Sequence, residues 1–390
     1  MLDSARELWS DLDPAFDHCN HGSFGAVARR VREHQDELRR LAERNPNQWF
    51  RYEVPARVEA ARIAMASFVG AAPENTIWAK NATTAVNVAL SAVPMERGAE
   101  ILLTDHVYGA VWRTAERIAR RHGGTTVVAP VDLTDDVTRV VDGVMSVVTD
   151  RTSVAIVDHI ASPTGLVLPI DAVVAALRDR GIVTIVDAAH APGSVPVDVA
   201  TLGADFWTGN FHKWCAAPRP CAALVVADEW RTRTEPLVAS FGLELGFPTS
   251  FAWQGTDDYT SLLCLDEALG LLASFGWAEV RTHDDALAAQ AAQLVGAALG
   301  VEPALPAGGR GPMSLLELPP GIATDDDAAR AFIKDVSDTL HVEVSANPWR
   351  GRGWLRLSAF VYNDVSDYER LAEGLPGLLK EMTARGATSR

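Results

Sequence analysis

TSVAIVDHIASPTGLVLPIDAVVAALRDRGIVTIVDAAHAPG, residues 152–193, is the stretch that decides the fold. Two apolar runs rich in Val and Ile, SVAIVD and IVTIVD, flank the amphipathic segment AVVAALRDRG. Continuous β-branched runs are typical of parallel strands that are covered on both faces by helices. The stretch therefore predicts a β-α-β unit in an α/β protein, with a mostly parallel central sheet sandwiched by helices.

The same alternation of strand-like and helix-like segments extends on both sides of this unit. Helices are expected at 29–45 and 54–69, and after residue 265 the pattern changes to Ala/Leu-rich helix and shorter strand-like runs, with a last helix at 366–384. This change predicts a smaller C-terminal α+β domain. The expected division is an N-terminal arm at 1–19 that packs with the small domain, a large ligand-binding domain at 20–265 and the small domain at 266–390.

The composition argues against several classes of partner. A formal net charge of -16 without a dense Lys/Arg cluster disfavours nucleic-acid binding, because phosphate backbones would be repelled. No apolar run approaches the ~20 residues that span a bilayer, and residues 1–16 lack the pattern of a secretory signal. We therefore expect a cytoplasmic protein that binds neither nucleic acid nor membrane and that acts on a small molecule.

The cysteines give no sign of a metal site or a disulfide framework. Cys19, Cys215, Cys221 and Cys264 form neither a CxxC pair nor the spacing of metal ligands. A chain of 390 residues can bury a core without disulfides. We expect reduced thiols and no bound metal.

The topology of a parallel sheet indicates where a ligand binds. Ligands of such sheets lie outside the carboxyl ends of the strands, so the residues that follow each apolar run are candidates. Polar residues follow four of the runs, at 105–106, 158–165, 187–190 and 210–213.

Lysine is rare enough to limit the search for an essential amine. Only four of the 35 basic residues are lysines, Lys80, Lys213, Lys334 and Lys380. The last two lie in amphipathic helical segments, where a solvated side chain is the ordinary interpretation. Lys80 ends a strand-like run and stays a candidate for a ligand contact. Lys213 lies in FWTGNFHKWCAAPRP, a non-periodic segment that suits a reactive amine, although the local pattern leaves a structural role equally open.

Two further features match what a covalently held pyridoxal 5'-phosphate (PLP) needs. Asp187 follows the apolar run IVTIV, where a carboxylate is costly without a cationic partner such as a pyridinium; capping of a turn is the alternative. Asn81, Ala82, Thr83 and Thr84 precede an amphipathic helix, whose positive end suits a phosphate, although many helices begin with such residues.

Taken in order along nearly the whole chain, eight motifs resemble a known family. They are NHGSFG (20–25), NATTAVN (81–87), TDHVYGAV (104–111), SPTG (162–165), VDAAHAPG (186–193), GNFHKW (209–214), WQGTDDY (253–259) and RLSAFVYN (356–363). The chain resembles the class V aminotransferase superfamily of fold-type I PLP enzymes, and within it the isopenicillin N epimerase-like branch, which includes C-S lyases of natural-product pathways.

The resemblance implies the fold-type I PLP-dependent transferase fold and a role for each matching residue. Lys213 aligns with the lysine that binds the cofactor covalently, and Asp187 with the carboxylate on the pyridine nitrogen. His106 matches the residue that stacks on the cofactor ring, and His190 the side chain that reaches its phenolic oxygen.

The resemblance also implies contacts to the phosphate and to the substrate. The residues expected around the phosphate are Ala82, Thr83, Thr84, Asn210 and His212. The loop expected to reach the phosphate of a neighbouring subunit, in an obligate homodimer, comprises Gln254, Gly255 and Thr256. The substrate carboxylate is expected at Arg356, whose guanidinium has bidentate geometry. The remaining residues expected near substrate or cofactor are Asn20, His21, Gly22, Ser162 and Thr164.

The implied chemistry is labilisation of a bond at the α-carbon of an amino acid, with Lys213 and His106 as the catalytic residues. Cysteine desulfurases of this superfamily need a nucleophilic Cys shortly before the carboxylate-binding Arg, and no Cys follows Cys264. The expected reaction is cleavage of a C–S bond in a cysteine S-conjugate of secondary metabolism, or a related decarboxylative deamination. Epimerisation of an amino acid or peptide is the alternative, and a catalytically silent PLP-fold binding protein is disfavoured because Lys213, Asp187 and Arg356 are all retained.

Overall fold

The computed structural model describes residues 2–305 and 311–388. Its strands are β1 (Asp17–His18), β2 (Thr76–Ala79), β3 (Glu100–Thr104), β4 (Thr125–Ala129), β5 (Thr152–Asp158), β6 (Val183–Asp187), β7 (Phe206–Asn210), β8 (Ala222–Val226), β9 (Met313–Glu317), β10 (Val342–Glu343), β11 (Ser345–Trp349) and β12 (Arg352–Ser358). Its helices are α1 (His21–Phe24), α2 (Arg29–Arg44), α3 (Pro46–Gln48), α4 (Val54–Phe68), α5 (Ala82–Ala92), α6 (Gly109–Arg121), α7 (Val137–Met145), α8 (Ile170–Arg178), α9 (Val199–Leu202), α10 (Thr260–Leu263), α11 (Leu265–Ala273), α12 (Trp277–Leu299), α13 (Asp326–Leu340) and α14 (Ser366–Thr388).

The residues fall into two compact units. The large unit comprises Arg30–Ile160 and Leu168–Leu271, and the small unit comprises the described residues of Met1–Arg29, Ala161–Val167 and Leu272–Arg390. The division expected from the sequence, at residues 19 and 265, stays a prediction. Met1, residues 306–310 and residues 389–390, which fall within the predicted arm and small domain, lie outside the described residues.

A seven-stranded sheet forms the centre of the large unit, in the order β2-β8-β7-β6-β5-β3-β4. The neighbours from β7 to β4 pair in parallel, whereas β8 is antiparallel to both β2 and β7. Apolar side chains of this sheet form a buried core with the inward faces of α5 and α6. The mostly parallel sheet flanked by helices confirms the predicted fold class.

The stretch quoted at the outset forms the expected β-α-β unit. β5 and β6 are parallel neighbours, and α8 lies between them in the chain. All residues of β5 except Ser153, and all of β6 except Val183, are buried. A strand that buries both of its faces selects apolar residues at consecutive positions, which is why the runs do not alternate.

The small unit is built on a three-stranded antiparallel sheet, β11-β12-β9. The buried faces of α12, α13 and α14 pack into one apolar core with this sheet. The N-terminal segment belongs to the same unit, because β1 pairs in parallel with β10 and Arg6 forms ion pairs with Asp364 and Asp367. Within the described residues no single helix is long and apolar enough to span a membrane; the bent pair Thr260–Ala273 and Trp277–Leu299 passes only together, by length and composition.

Candidate active site

The carboxyl ends of β5 and β6 bring two carboxylates together in the large unit. Asp158 and Asp187 end these strands, are paired in register and are both buried. Burial raises the pKa of Asp158 well above the usual range of a carboxyl group, and the charge of Asp187 adds to this effect. The Thr104 hydroxyl, 3.3 Å from Asp158 Oδ2, acts in the opposite direction.

Asp187 is better placed than Asp158 to carry the negative charge. Burial raises the pKa of Asp187 too, but the Ala189 N–H donates to its Oδ1 at 3.0 Å and a protonated Lys213 would lower the pKa. These two interactions stabilise the ionised form of Asp187, whereas the charge that acts on Asp158 is that of another carboxylate. The surroundings therefore favour the proton on Asp158 and the negative charge on Asp187.

The amine of Lys213 lies against an imidazole. Its Nζ is 3.0 Å from His190 Nε2, and the Trp214 indole donates from Nε1 to His190 Nδ1 at 3.3 Å. His190 and Trp214 are both about 1% exposed. The imidazole is therefore held at both nitrogens by neighbours that come from one short loop.

That loop connects β7 to β8 and is closed on itself by backbone hydrogen bonds. The amides of Phe211 and His212 both donate to the Cys221 carbonyl, and Ala217 N donates to the Phe211 carbonyl. The His212 ring is fixed by the same residue, since its Nδ1 lies 2.9 Å from Cys221 O. Burial lowers the pKa of His212 to about 4, so its ring is neutral at neutral pH.

The start of α5 is held by two asparagine side chains. Asn81 caps the helix by accepting from Thr84 N at 2.9 Å, and Asn210 Oδ1 accepts from Ala82 N at 2.9 Å. The Ala82 amide and the Asn210 side-chain oxygen thus bond to each other. The Asn210 amide nitrogen and the Thr83 hydroxyl remain as donors at this positive helix end.

His106 follows β3 and is completely buried. Its Nε2 lies 2.8 Å from the Val131 carbonyl, so this nitrogen carries the proton and donates. Asp105 accepts from Val131 N at 3.0 Å, which fixes the same turn from the other side.

The loop predicted to reach a second subunit lies in the large unit. Tyr259 donates to the Gly255 carbonyl at 3.1 Å, and Lys80 forms a 2.6 Å ion pair with Asp257. Gly255 has φ +112°, a conformation that side-chain-bearing residues rarely adopt, and Thr256 is exposed. Lys80 therefore holds this loop in place through its ion pair with Asp257.

In the small unit, the buried guanidinium of Arg356 is hydrogen-bonded to residues from two other segments of the chain. Arg356, in the central strand β12, donates to the carbonyl of Ser162, to Ser23 Oγ at 3.1 Å and to Asn20 Oδ1 at 3.4 Å. Each of these acceptors is neutral, so they orient the guanidinium without cancelling its charge. Ser23 is a contact that sequence reasoning missed, although it lies within the quoted motif NHGSFG.

The residues beside Asn20 form an aromatic cluster in the same unit. His21 is stacked on Phe360, with ring centroids 3.7 Å apart, and its Nδ1 lies 3.1 Å from the Tyr362 hydroxyl. Gly22 N donates to Ser358 Oγ at 3.3 Å. Tyr362 and Phe360 were not singled out from the sequence, because apolar alternation alone describes them as core residues.

Cys19, Cys215, Cys221 and Cys264 are all buried thiols. Burial raises the pKa of Cys264 to about 12 and that of Cys221 further, so these thiols stay protonated. Among residues 2–305 and 311–388, no cluster of three His, Cys, Asp or Glu side chains has the arrangement of a metal site.

Comparison with known proteins identifies the family. The aminotransferase class-V model matches residues 31–314 of this chain. The chain belongs to the class-V aminotransferase family. It is 32% identical to the isopenicillin N epimerase of Amycolatopsis lactamdurans, over 97% of this chain and 98% of the relative, and 28% identical to the putative L-cysteine desulfhydrase 1 of Oryza sativa subsp. japonica, over 95% and 84%.

Two solved structures share the fold of this chain. The cystine C-S lyase C-DES, in complex with cysteine persulfide, aligns with a TM-score of 0.81 at 19% identity, over 95% of this chain and 99% of that one. The Escherichia coli cysteine desulfurase CsdA aligns with a TM-score of 0.78 at 19% identity, over 97% and 98%. These likenesses confirm the expected fold-type I architecture.

As a member of the class-V aminotransferase family, the chain is a PLP-dependent enzyme. The large unit fits that cofactor: it offers a lysine amine, a buried carboxylate that favours a cationic partner, and hydrogen-bond donors at the start of α5. Asp158 and Trp214, which hold neighbouring site residues, were not assigned a function from the sequence. The rule that ligands bind at the carboxyl ends of parallel strands included Asp158 among the candidates. No local signal distinguishes Trp214 from an ordinary core tryptophan.

Proposed function

We propose that this protein is a PLP-dependent C-S lyase that acts on a cysteine S-conjugate of secondary metabolism. The observation that carries the proposal is the Lys213 amine, held 3.0 Å from His190 next to the anionic Asp187, in a chain whose four thiols are all buried. The reaction is RS–CH2–CH(NH3+)–COO− + H2O giving RSH, pyruvate and NH4+. The C–S bond breaks with its electron pair on sulfur.

PLP, when bound, would supply an electron sink for the α-carbon of the substrate. Asp187 would hold the pyridine nitrogen in its protonated form, because a buried carboxylate gains most from a cationic neighbour. The buried His106 would pack against the ring, and His190 would donate from Nε2 to the phenolic oxygen. Thr83 and Asn210 would donate to the phosphate. Ala82 and Thr84, whose amides already donate to Asn210 and Asn81, and His212, held at Cys221, would shape the site around it.

Lys213 would move the proton. Its uncharged amine would accept the proton from the α-carbon, which is the role of a general base. Arg356 would bind the substrate carboxylate through the two guanidinium nitrogens that the Ser162 carbonyl, Ser23 and Asn20 orient. Asn20, His21 and Gly22 are proposed as neighbours of the substrate on this side.

The buried thiols favour release of sulfur over its transfer to the enzyme. A desulfurase needs an exposed thiolate as the acceptor of sulfur, because the thiolate is the reactive form. All four cysteines are buried, and burial keeps the Cys221 and Cys264 thiols protonated. Sulfur would therefore leave as a thiol.

Epimerisation is the second candidate. Two relatives at 32% and 30% identity are both named isopenicillin N epimerase, whereas those named L-cysteine desulfhydrase or desulfhydrase-like lie at 24–28%. In that reaction the α-proton would be removed from one face and returned to the other, so the substrate would keep all of its atoms.

We also propose a homodimer in which Gly255 and Thr256 reach the neighbouring cofactor site. An exposed apolar segment supports it: Phe241 is 96% exposed, and Leu237, Val238 and Leu245 are at least half exposed. Light scattering should give twice the chain mass of 41.9 kDa, and Phe241→Asp should lower it. A monomeric wild type would contradict the dimer. The cytoplasmic location stays a prediction.

The test of the reaction uses PLP-loaded protein in deuterated water with S-methyl-L-cysteine and S-carboxymethyl-L-cysteine, followed by NMR and mass spectrometry. Thiol, pyruvate and ammonia are expected. Deuterium at an intact α-carbon with falling optical rotation would establish epimerisation instead, and carbon dioxide with an aldehyde would establish decarboxylative deamination.

Lys213→Ala should abolish turnover and the visible absorbance of covalently bound PLP, with a rate loss of at least roughly 10³-fold. Lys334→Ala is the matched control, because Lys334 lies on the exposed face of α13 and pairs with Asp338. If Lys213→Ala retains both activity and absorbance, the catalytic assignment is wrong.

A further inference from the structure

One hydrogen bond near Lys213 has no part in the proposed reaction. The Trp214 indole donates from Nε1 to His190 Nδ1 at 3.3 Å, and His190 Nε2 lies 3.0 Å from Lys213 Nζ. An indole nitrogen can only donate, so His190 Nδ1 must accept and cannot carry a proton. The proton of the neutral ring therefore sits on Nε2, which faces the amine.

The Nε2–H tautomer of His190 affects the charge state of the Lys213 amine. A protonated lysine has three N–H donors and no acceptor, so it cannot accept from His190 Nε2–H. The uncharged amine has a lone pair and accepts from it. We propose that Trp214 is a positioning residue: its indole N–H fixes His190 in the Nε2–H tautomer, and the fixed imidazole favours the uncharged amine of Lys213.

Backbone packing holds Trp214 and the His190 turn together. Gly193 closes that turn with φ +88°, and a Cβ at this position would lie 2.6 Å from the Trp214 carbonyl oxygen. Only glycine permits both the left-handed conformation and this approach. The motif VDAAHAPG therefore supplies His190 and also the space that Trp214 needs.

Other titratable groups around the amine act differently. The Asp187 carboxylate favours the charged ammonium form, because opposite charges attract. His212 is neutral at neutral pH, since burial lowers its pKa to about 4. Trp214 and His190 thus oppose Asp187, and the uncharged amine they favour is the form that attacks an aldehyde. The inference rests on the proposed function only in taking Lys213 as the cofactor lysine.

The experiment uses the cofactor-free protein, so it is independent of the substrate and of turnover. The pH profile of Lys213 acylation is measured by acetic anhydride labelling and peptide mass spectrometry, with Lys334 as an internal reference. In Trp214→Phe, Lys213 acylation at pH 7 should fall roughly five- to tenfold, the loss expected for one hydrogen bond. Trp207→Phe is the matched control, because Trp207 is equally buried and its Nε1 has no partner among the described residues.

A double-mutant cycle separates tautomer control from packing. In a His190→Gln background the Trp214→Phe change should have no further effect on acylation. An equal loss in both backgrounds, or no loss at all, overturns the proposal. If Trp214→Phe fails to fold, 15N NMR of histidine-labelled wild type decides: a protonated Nε2 and bare Nδ1 at His190, assigned with His190→Gln, supports the proposal, and a protonated Nδ1 overturns it.

Discussion

Lys213 in the large unit and Arg356 in the small unit are cations with proposed roles in the same reaction, and the chain holds them in different ways. Lys213 and its sequence neighbour Trp214 lie on one loop, and both contact His190 in the turn that follows β6. Arg356 is oriented by acceptors from two distant segments, Ser162 in one and Asn20 and Ser23 in the other. A cation that must change charge is held by a titratable ring, whereas one that must keep its charge is held by neutral oxygens.

The largest further effect should come from the anion beside Lys213. Asp187→Asn removes the charge that would stabilise a protonated pyridine nitrogen while keeping the size and the hydrogen bond from Ala189. We expect turnover to fall by roughly 10²- to 10³-fold with little change in KM. Steady-state kinetics of the PLP-loaded variant measures this.

Asp158→Asn is the matched control for Asp187→Asn. Because burial and the Asp187 charge favour the protonated, neutral form of Asp158, its replacement by a neutral amide should lower turnover far less. Equal losses in both variants would refute the assignment of the anion to Asp187.

An intermediate effect is expected at Arg356. Arg356→Lys keeps the charge but loses the planar pair of donors, so KM should rise roughly 10- to 100-fold, with a smaller change in kcat. Arg352→Lys, on an exposed residue of the same strand that pairs with Glu317, is the control. A rise in KM of the same size in the control would remove the distinction between the two sites.

The smallest effect concerns stability in the small unit, where Asp284 is a buried carboxylate without a proposed catalytic role. Burial raises its pKa to about 7, and His283 Nδ1 lies 2.9 Å from its Oδ1. Between about pH 4 and pH 7 only the unfolded chain ionises this group, so stability falls as the pH rises through that range. The loss between pH 5 and pH 8 is on the order of 3 kcal/mol.

Asp284→Asn should remove that part of the pH dependence. The melting temperature of the wild type should fall from pH 5 to pH 8 by a few degrees more than that of the variant, as measured by differential scanning fluorimetry. Asp327→Asn, at an exposed position of α13, should behave like the wild type. Parallel curves for wild type and Asp284→Asn would show that Asp284 ionises normally in the folded protein.

Much of the large unit could be predicted from local pattern. The runs SVAIVD and IVTIVD form β5 and β6, and the expected helices at 29–45, 54–69 and 366–384 correspond to α2, α4 and α14. The strand-end rule led to Asp187, His190 and Lys213 because chain direction alone decides which end of a parallel strand faces the ligand edge. Such features depend on residues that are neighbours in sequence.

The sequence by itself determined the fold class and the family, and it singled out Lys213 as the proposed cofactor lysine, since burial of a parallel sheet selects apolar runs and motifs keep their order along the chain. Only the tertiary structure decided which groups are hydrogen-bonded in the site. Ser23 bonds to Arg356, Asn210 to Ala82 N, and Trp214 to His190. A hydrogen bond requires two atoms to meet within about 3 Å, and no periodicity in a sequence encodes that distance between segments that only the folded core brings together.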